Sequence, residues 1–439
     1  MKALRVIIVN LCRLLLGLTF IFSGFVKATD PLGTQYKIID YFTALHVVEF
    51  IPTWVSLALS IALSALEFTL GILVLLAMHR RSASKATLAF MAFMTAVTLW
   101  LAVANPIKDC GCFGDAIHLT NWQTFFKNVV LLAAAIVITW RPLDMARFIS
   151  RSNQWIAVNY TMLFILAYSF YTLYALPPFD FRPYHVGANL IKGMQIPKGA
   201  PLPKFKTTFI LQKNGRQKEF TLDNYPDSTW QFVTSKTVQV SAGYVPPIHD
   251  FSIETLNSGE DSTQQILQHK GYTFMLISPD LSRADDSNFG DIDRVYEFAR
   301  QYKYPFICLT ASGNKDIAHW QDITGAEYPF YHTDETTLKT IIRSNPGLVL
   351  LHNGTVVAKW SHNQLPTDEQ LSKPLEKSEL GRPSPSTPAY RVWCIFMWYV
   401  LPIMLLVITD RLWAWTQWIR NKEKNNIIVS TFNNKHKKQ

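Results

Sequence analysis

DCGCFGDAIHLTN, residues 109–121, lies between two apolar runs at 86–105 and 122–140. It holds two of the chain's five cysteines with one glycine between them. Gly111 has no Cβ and can take φ > 0, so the backbone can fold tightly between the thiols. A disulfide needs its Cα atoms roughly 4.4–6.8 Å apart, and a bridge across one residue is a small, bent ring. Strained disulfides are the labile, more oxidising ones. Cys110 and Cys112 therefore suit electron exchange better than stapling a fold. A static loop disulfide is an alternative. Metal ligation with His118 and Asp109 or Asp115 is another, but spacing beyond Cys-x-Cys matches no common zinc pattern, and no metal site is assigned. Asp109 and Asp115 would raise the thiol pKa values, and Lys108 would lower them.

The two runs beside this loop belong to a larger pattern. The chain has 439 residues, 49% of them hydrophobic, and a formal charge of +10. Its apolar residues gather in blocks of about twenty, the length that crosses roughly 30 Å of hydrocarbon. Six blocks stand at 6–28, 54–77, 86–105, 122–140, 155–176 and 392–408. The first is long, contains Arg13 and lacks a small-residue cleavage pattern, so it reads as an uncleaved helix. Pro402 in the last is tolerated with a kink. Basic residues mark the block ends and tail, a topology signal and not a nucleic-acid footprint.

Arg80, Arg81 and Lys85, then Arg141, Arg147 and Arg151, then the lysine-rich tail after Asp410 fall on one side if the spans number six. By the positive-inside rule both termini are cytoplasmic. The CGC loop and residues 177–388 are then outside, which gives a multi-pass inner-membrane protein with a periplasmic segment. Arg13 and Glu67 lie within about 5 Å of one depth at 1.5 Å per residue. They read as a buried ion pair, with a proton path or quinone contact as the functional alternative. Lys27 is expected to snorkel to the interface. Cys12 and Cys308 read as packing. Cys394 falls near the depth of the CGC loop and is a candidate third, resolving thiol, against packing again.

Residues 177–245 read as a strand-rich connector with a hairpin turning at Asn214-Gly215. From 246 the pattern alternates between strands and helices, an α/β unit. Strands are expected at 272–277, 305–309, 348–351 and 356–360, with helices at 289–302, 316–323 and 336–343. Residues 371–388 read as a linker, 389–412 as the sixth span and 413–439 as a basic tail.

The first 142 residues, with 143–176 as a fifth span, resemble the DoxX/MauE-type redox-associated membrane proteins. Their four-helix bundle has a cysteine pair followed by Phe-Gly, here Cys110-Gly111-Cys112-Phe113-Gly114. Ser23-Gly24 with Lys27, Glu67 with Gly71, and Asn121-Trp122 also match. The resemblance implies a part in forming or maintaining disulfides of exported partners. Residues 246–370 look like a thioredoxin-type α/β fold, with Pro346 of 345–356, NPGLVLLHNGTV, at the cis-proline position. Ser278-Pro279-Asp280-Leu281-Ser282 stands where a thioredoxin has Cys-x-x-Cys, so this domain lacks the redox thiols. The joined arrangement is similar to DoxX-like proteins carrying exported C-terminal domains. The expected function is thiol–disulfide exchange with exported protein dithiols through Cys110 and Cys112. No cofactor is fixed, a quinone is a candidate electron carrier, and the partners are exported thiols and membrane lipid. The alternative is a non-catalytic membrane binding or assembly protein.

Overall fold

A computed structural model of the chain describes residues 2–436 except 108, 202–203, 214–215, 222–229, 242 and 384–387. Helix α1 (Lys2–Thr29) leads through Asp30 into α2 (Pro31–Ala44), and α3 (Thr53–Leu75), α4 (Arg80–Ala104), α5 (Asn121–Trp140) and α6 (Gln154–Tyr174) follow. Among the described residues six helices are long and apolar enough to cross a membrane: all of these but α2, and the Tyr390–Lys422 part of the final helix. The protein is a multi-pass membrane protein. The predicted number of spans holds.

α1 and α3 are antiparallel and nearly touch. A Cβ on Gly24 would stand 2.4 Å from the Phe68 nitrogen, and one on Gly71 2.7 Å from the Ile21 nitrogen. Small residues allow this approach, which is how membrane helices gain packing without a hydrophobic drive between them. The contact fixes the register: Gly17, Ile21 and Gly24 oppose Leu75, Gly71 and Phe68. Arg13 therefore lies about twelve residues, or about 18 Å, from the level of Glu67. The expected Arg13–Glu67 pair does not form. Arg13 donates to the Ala146 carbonyl at 2.6 Å and lies over the Phe148 ring, in the segment joining α5 to α6. The depth count failed because the inner ends of the two helices are not level: Gly17 opposes Leu75, the last residue of α3, while α1 runs on inward to Lys2.

α2 escaped the sequence reading, although Asp30-Pro31 carries its start signal. The Asp30 carboxylate accepts from the Gly33 N–H at 2.8 Å, and Pro31 opens the helix where no N–H is needed. Ser56 and Ser60, four apart on α3, fix it in place: Gln35 donates to Ser56 and Ser60 donates to the Pro31 carbonyl.

Beyond α6 comes a globular region. Its opening, α7 (Leu190–Met194), precedes a three-stranded antiparallel sheet of β1 (Lys204–Lys213), β2 (Arg216–Thr221) and β3 (Gln231–Ser241) in the order β2-β1-β3. The expected turn at Asn214-Gly215 lies outside the described residues, but its flanking strands pair as a hairpin. Then follow β4 (Glu254–Thr255), α8 (Thr263–Leu267), β5 (Tyr272–Ser278), α9 (Phe289–Tyr302), β6 (Phe306–Thr310), α10 (Asn314–Thr324), β7 (Phe330–His332), α11 (Glu335–Ile341), β8 (Gly347–His352), β9 (Thr355–Ser361) and α12 (Pro388–His436). The second sheet runs β4-β7-β6-β5-β8-β9, with β5, β6 and β7 parallel and β8, β9 and β4 antiparallel to their neighbours. β5 is buried throughout because both faces are covered. Phe274 and Leu276 join Val295, Phe298 and Trp320 on one face; Met275 and Ile277 join Leu338 and Ile341 on the other. The Asn345-Pro346 peptide preceding β8 is cis.

Three boundaries need correction. Residues 177–199 are part of the globular region: Tyr184 and Leu190 enter its core, and Leu190 donates to the Gly354 carbonyl. Of the expected linker at 371–388, residues 371–383 pack as well, since Leu371 and Leu375 lie in the other core cluster and Tyr272 donates to the Gly381 carbonyl. Charge and proline content misled there, because two leucines are enough to pin a short segment. The sixth span and the basic tail form one helix, not two segments.

The globular region is clamped to the bundle. Arg343, 7% exposed, donates to Asp30 at 2.8 Å and to Asp115 at 3.2 Å, and its guanidinium lies over the Tyr36 ring. Arg343→Ala leaves two acceptors without their charged donor, and about 1.5–3 kcal/mol of stability should go with it. A thermal double-mutant cycle with Asp30→Ala checks this, with a coupling of at least about 0.5 kcal/mol expected.

Candidate functional site

The CGC loop sits where α1, α2, α3 and α5 meet. Gly111 has φ +65, as the tight fold demanded, and its N–H bonds the Asp109 carboxylate at 3.0 Å. The loop is closed at its ends by Asn121, which donates to Asn105 at 2.8 Å and to the Ile107 carbonyl at 2.7 Å. Thr120 caps α5 reciprocally with Gln123.

The two sulfurs lie 2.9 Å apart, and their surroundings differ. Cys110 is buried, and Tyr41 of α2 donates to both its carbonyl at 3.1 Å and its sulfur at 3.3 Å. Cys112 is half-buried. Its carbonyl is held by Ser23 at 2.6 Å and by the Lys27 ammonium at 2.7 Å. Lys27 also donates to Ser23 and to Glu67, each at 2.7 Å, so its three N–H groups are all used. Lys27 does not snorkel: it and Glu67 each expose only 4% of their side chains. The carboxylate opposite fixes the ammonium inside.

Electrostatics separate the thiols. The hydrogen bond from Cys110 holds the Cys112 thiol down at about 6 against the opposing effect of burial, with help from the Lys127 and Lys27 charges. Cys110 is raised well above the ordinary thiol range, chiefly by that shared hydrogen bond and then by burial. Cys112 is therefore the thiol of the pair that ionises more readily. Lys127 stands 4.1 Å from the centre of the Phe113 ring beside it. The acids expected to raise both thiols are engaged elsewhere, Asp109 with Lys37 and Asp115 with Arg343. Lys108 lies outside the described residues. His118 is mostly exposed and comes only within 3.9 Å of Asp109.

Residues 5–141 match the family model for methylamine utilisation protein MauE. The MauE-like region thus holds α1 to α5 and the whole CGC loop, while α6, the globular region and α12 lie beyond it. Residues 205–242, the three-stranded sheet, match a domain of unknown function (DUF8463). No curated protein and no solved structure matches the chain.

Several site residues of the MauE-like region escaped sequence reasoning. Lys37 and Tyr41 are four apart on α2, one turn of a helix whose Asp-Pro start was readable. Ser23 and Lys27, which the sequence had already marked, show the same spacing on α1. Cys394, the candidate third thiol, is not brought to the pair. It lies on α12, which packs on α6, and bonds with Tyr390. Cys308 is buried in β6 without access, and burial pushes its thiol up.

Two outcomes follow. In the reduced protein, iodoacetamide modification of Cys112 should rise with pH through a midpoint near 6, because a lowered pKa leaves the thiolate dominant above it. Cys110→Ala should move that midpoint upward, since the largest stabilising contact is gone; peptide mass spectrometry reads the rate at each pH. Lys27→Met should cost about 3–5 kcal/mol by leaving Glu67 buried and unpaired. Adding Glu67→Leu should restore most of it, as followed by melting temperature.

Proposed function

We propose that the protein is a membrane thiol–disulfide oxidoreductase acting on dithiols of exported proteins, with Cys112 as nucleophile and Cys110 as resolving thiol. The observation that carries this reading is the asymmetry of the pair: a half-buried Cys112 whose thiol pKa is lowered, with its sulfur 2.9 Å from that of a buried Cys110. A thiolate, not a thiol, attacks a disulfide. Cys112 would attack a client disulfide sulfur, forming a mixed disulfide and releasing one client thiolate. Cys110, giving up its proton, would then attack the Cys112 sulfur. The products are a Cys110–Cys112 disulfide and a client reduced by two electrons. Read backwards, the same steps oxidise a client dithiol, and relative potential sets the direction.

The basic clusters support an orientation with the CGC loop and residues 177–383 outside the cytoplasm, in the periplasm of an inner-membrane protein. The globular region supports a client-presenting role. Its parallel β5, β6 and β7 with antiparallel β8 and β9 would suit a thioredoxin-like domain. Ser278, at the end of β5 where such a domain carries its thiols, donates to Asn345 instead. That edge also faces the CGC loop through Arg343, so clients bound there would lie beside Cys112.

With Cys110→Ala, mixed disulfides with exported proteins should accumulate through Cys112, which a membrane-impermeant maleimide should label in intact cells. Cys112→Ala should trap few clients, and the double change none. A one-residue bridge encloses almost no chain, whereas gains of about 3 kcal/mol belong to loops of some fifteen residues. The double variant should thus melt like the parent. Absence of adducts from Cys110→Ala together with a lowered melting temperature for the double variant would favour a structural bridge.

A further inference from the structure

A cavity of about 1420 Å³ opens between α6, α12 and the globular region, and none of its lining residues belongs to the CGC loop. Hydrogen bonds join α6 and α12 at Tyr160–Trp398, Thr161–Tyr399 and Asp410 with Ser150 and Asn153. The cavity occupies the stretch from the Tyr160–Trp398 level toward the end that carries the globular region. Its lower wall is apolar, built from Phe164, Tyr171, Ile395 and Trp398 of the two spans. Its upper wall is cationic: Arg182, Lys359, Arg382 and Arg391 against Asp180 and Glu379.

Arg182 is the distinctive group. It is 5% exposed, and its Nε donates to Asp180 at 2.7 Å. Its Nη1 is buried with no hydrogen-bond partner among the described residues. Lys359 already takes the other Asp180 oxygen at 2.9 Å, so one carboxylate faces two buried cations. A buried guanidinium N–H without an acceptor is costly, and an anion entering the cavity would remove that cost.

We propose that this cavity binds a membrane lipid with an anionic phosphate headgroup, its phosphate on Arg182 and its chain along the apolar wall between α6 and α12. A guanidinium fork matches phosphate geometry, and among the anions at a membrane boundary the lipid phosphate alone brings a chain to fill the lower wall. The volume exceeds the roughly 300–1,000 Å³ of ordinary small-ligand pockets, which suits a headgroup with part of a chain.

The test uses the full-length protein in a neutral detergent, titrated with phosphatidylglycerol and followed by native mass spectrometry. Saturable binding of one lipid is expected, with roughly tenfold or greater weakening in Arg182→Gln. Because that change also touches Asp180, Ala167→Trp serves as a second variant. Ala167 is an exposed residue lining the cavity, and a large ring there should block the chain without disturbing the fold. It should lose binding at an unchanged melting temperature. Glycerol phosphate, a headgroup without a chain, should bind far more weakly, and a ubiquinone should not displace the lipid. Equal lipid affinity in both variants and the parent would reduce the site to annular lipid. Equal affinity for glycerol phosphate would make it a soluble-anion site, and displacement by the quinone a quinone site; each overturns the proposal.

Discussion

One ammonium group holds the centre of this protein together. Lys27 Nζ sits at the contact of α1 and α3, neutralised by Glu67 and committed to the Cys112 carbonyl. A buried charge survives in such a place only when paired and fully hydrogen-bonded. The loop bearing the thiols is thereby tied to the packed helices beneath it through a backbone carbonyl, while the Cys112 sulfur keeps its contact with Cys110. The close approach at Gly24 and Gly71 makes this contact geometrically available. A larger residue at either position would push the helices apart and lengthen the Lys27–Glu67 distance.

Around that anchor the two thiols receive different environments. α2 covers Cys110 and supplies the Tyr41 hydroxyl, while Cys112 stays half-open near Lys127. The difference comes from covering one cysteine and not the other, since the two are separated by a single glycine and share the same solvent boundary in sequence. The Arg343 clamp adds a second level of order. It joins Asp30, the cap of α2, to Asp115, three residues beyond Cys112, so the globular region is attached to the same elements that shape the thiol pair.

The sequence alone was sufficient for the spans, most strands and helices of the globular region, the φ of Gly111 and the close approach of Cys110 and Cys112. These rest on local physics: apolar block length, alternation, helical spacing and the freedom of a residue without Cβ. It was insufficient for the partners of charged residues. Arg13 and Glu67 seemed matched in depth by counting from helix ends, but the register of α1 against α3 is set by small residues, and it places Lys27 opposite Glu67 instead. The apparent linker at 371–388 failed for a related reason, since burial of Leu371 and Leu375 depends on a core cluster assembled from distant strands and helices, which no local pattern reveals.

What the sequence by itself determined is therefore the membrane bundle, the α/β region and the identity of the thiol pair, because each is written in composition and spacing within a short window. Only the tertiary structure decided how the two cysteines differ in burial and partners. That difference depends on Tyr41, Lys27 and Lys127, which come from three different helices. Their distances to the sulfurs exist only once the chain has packed, and electrostatic shifts follow distance and burial, not sequence separation.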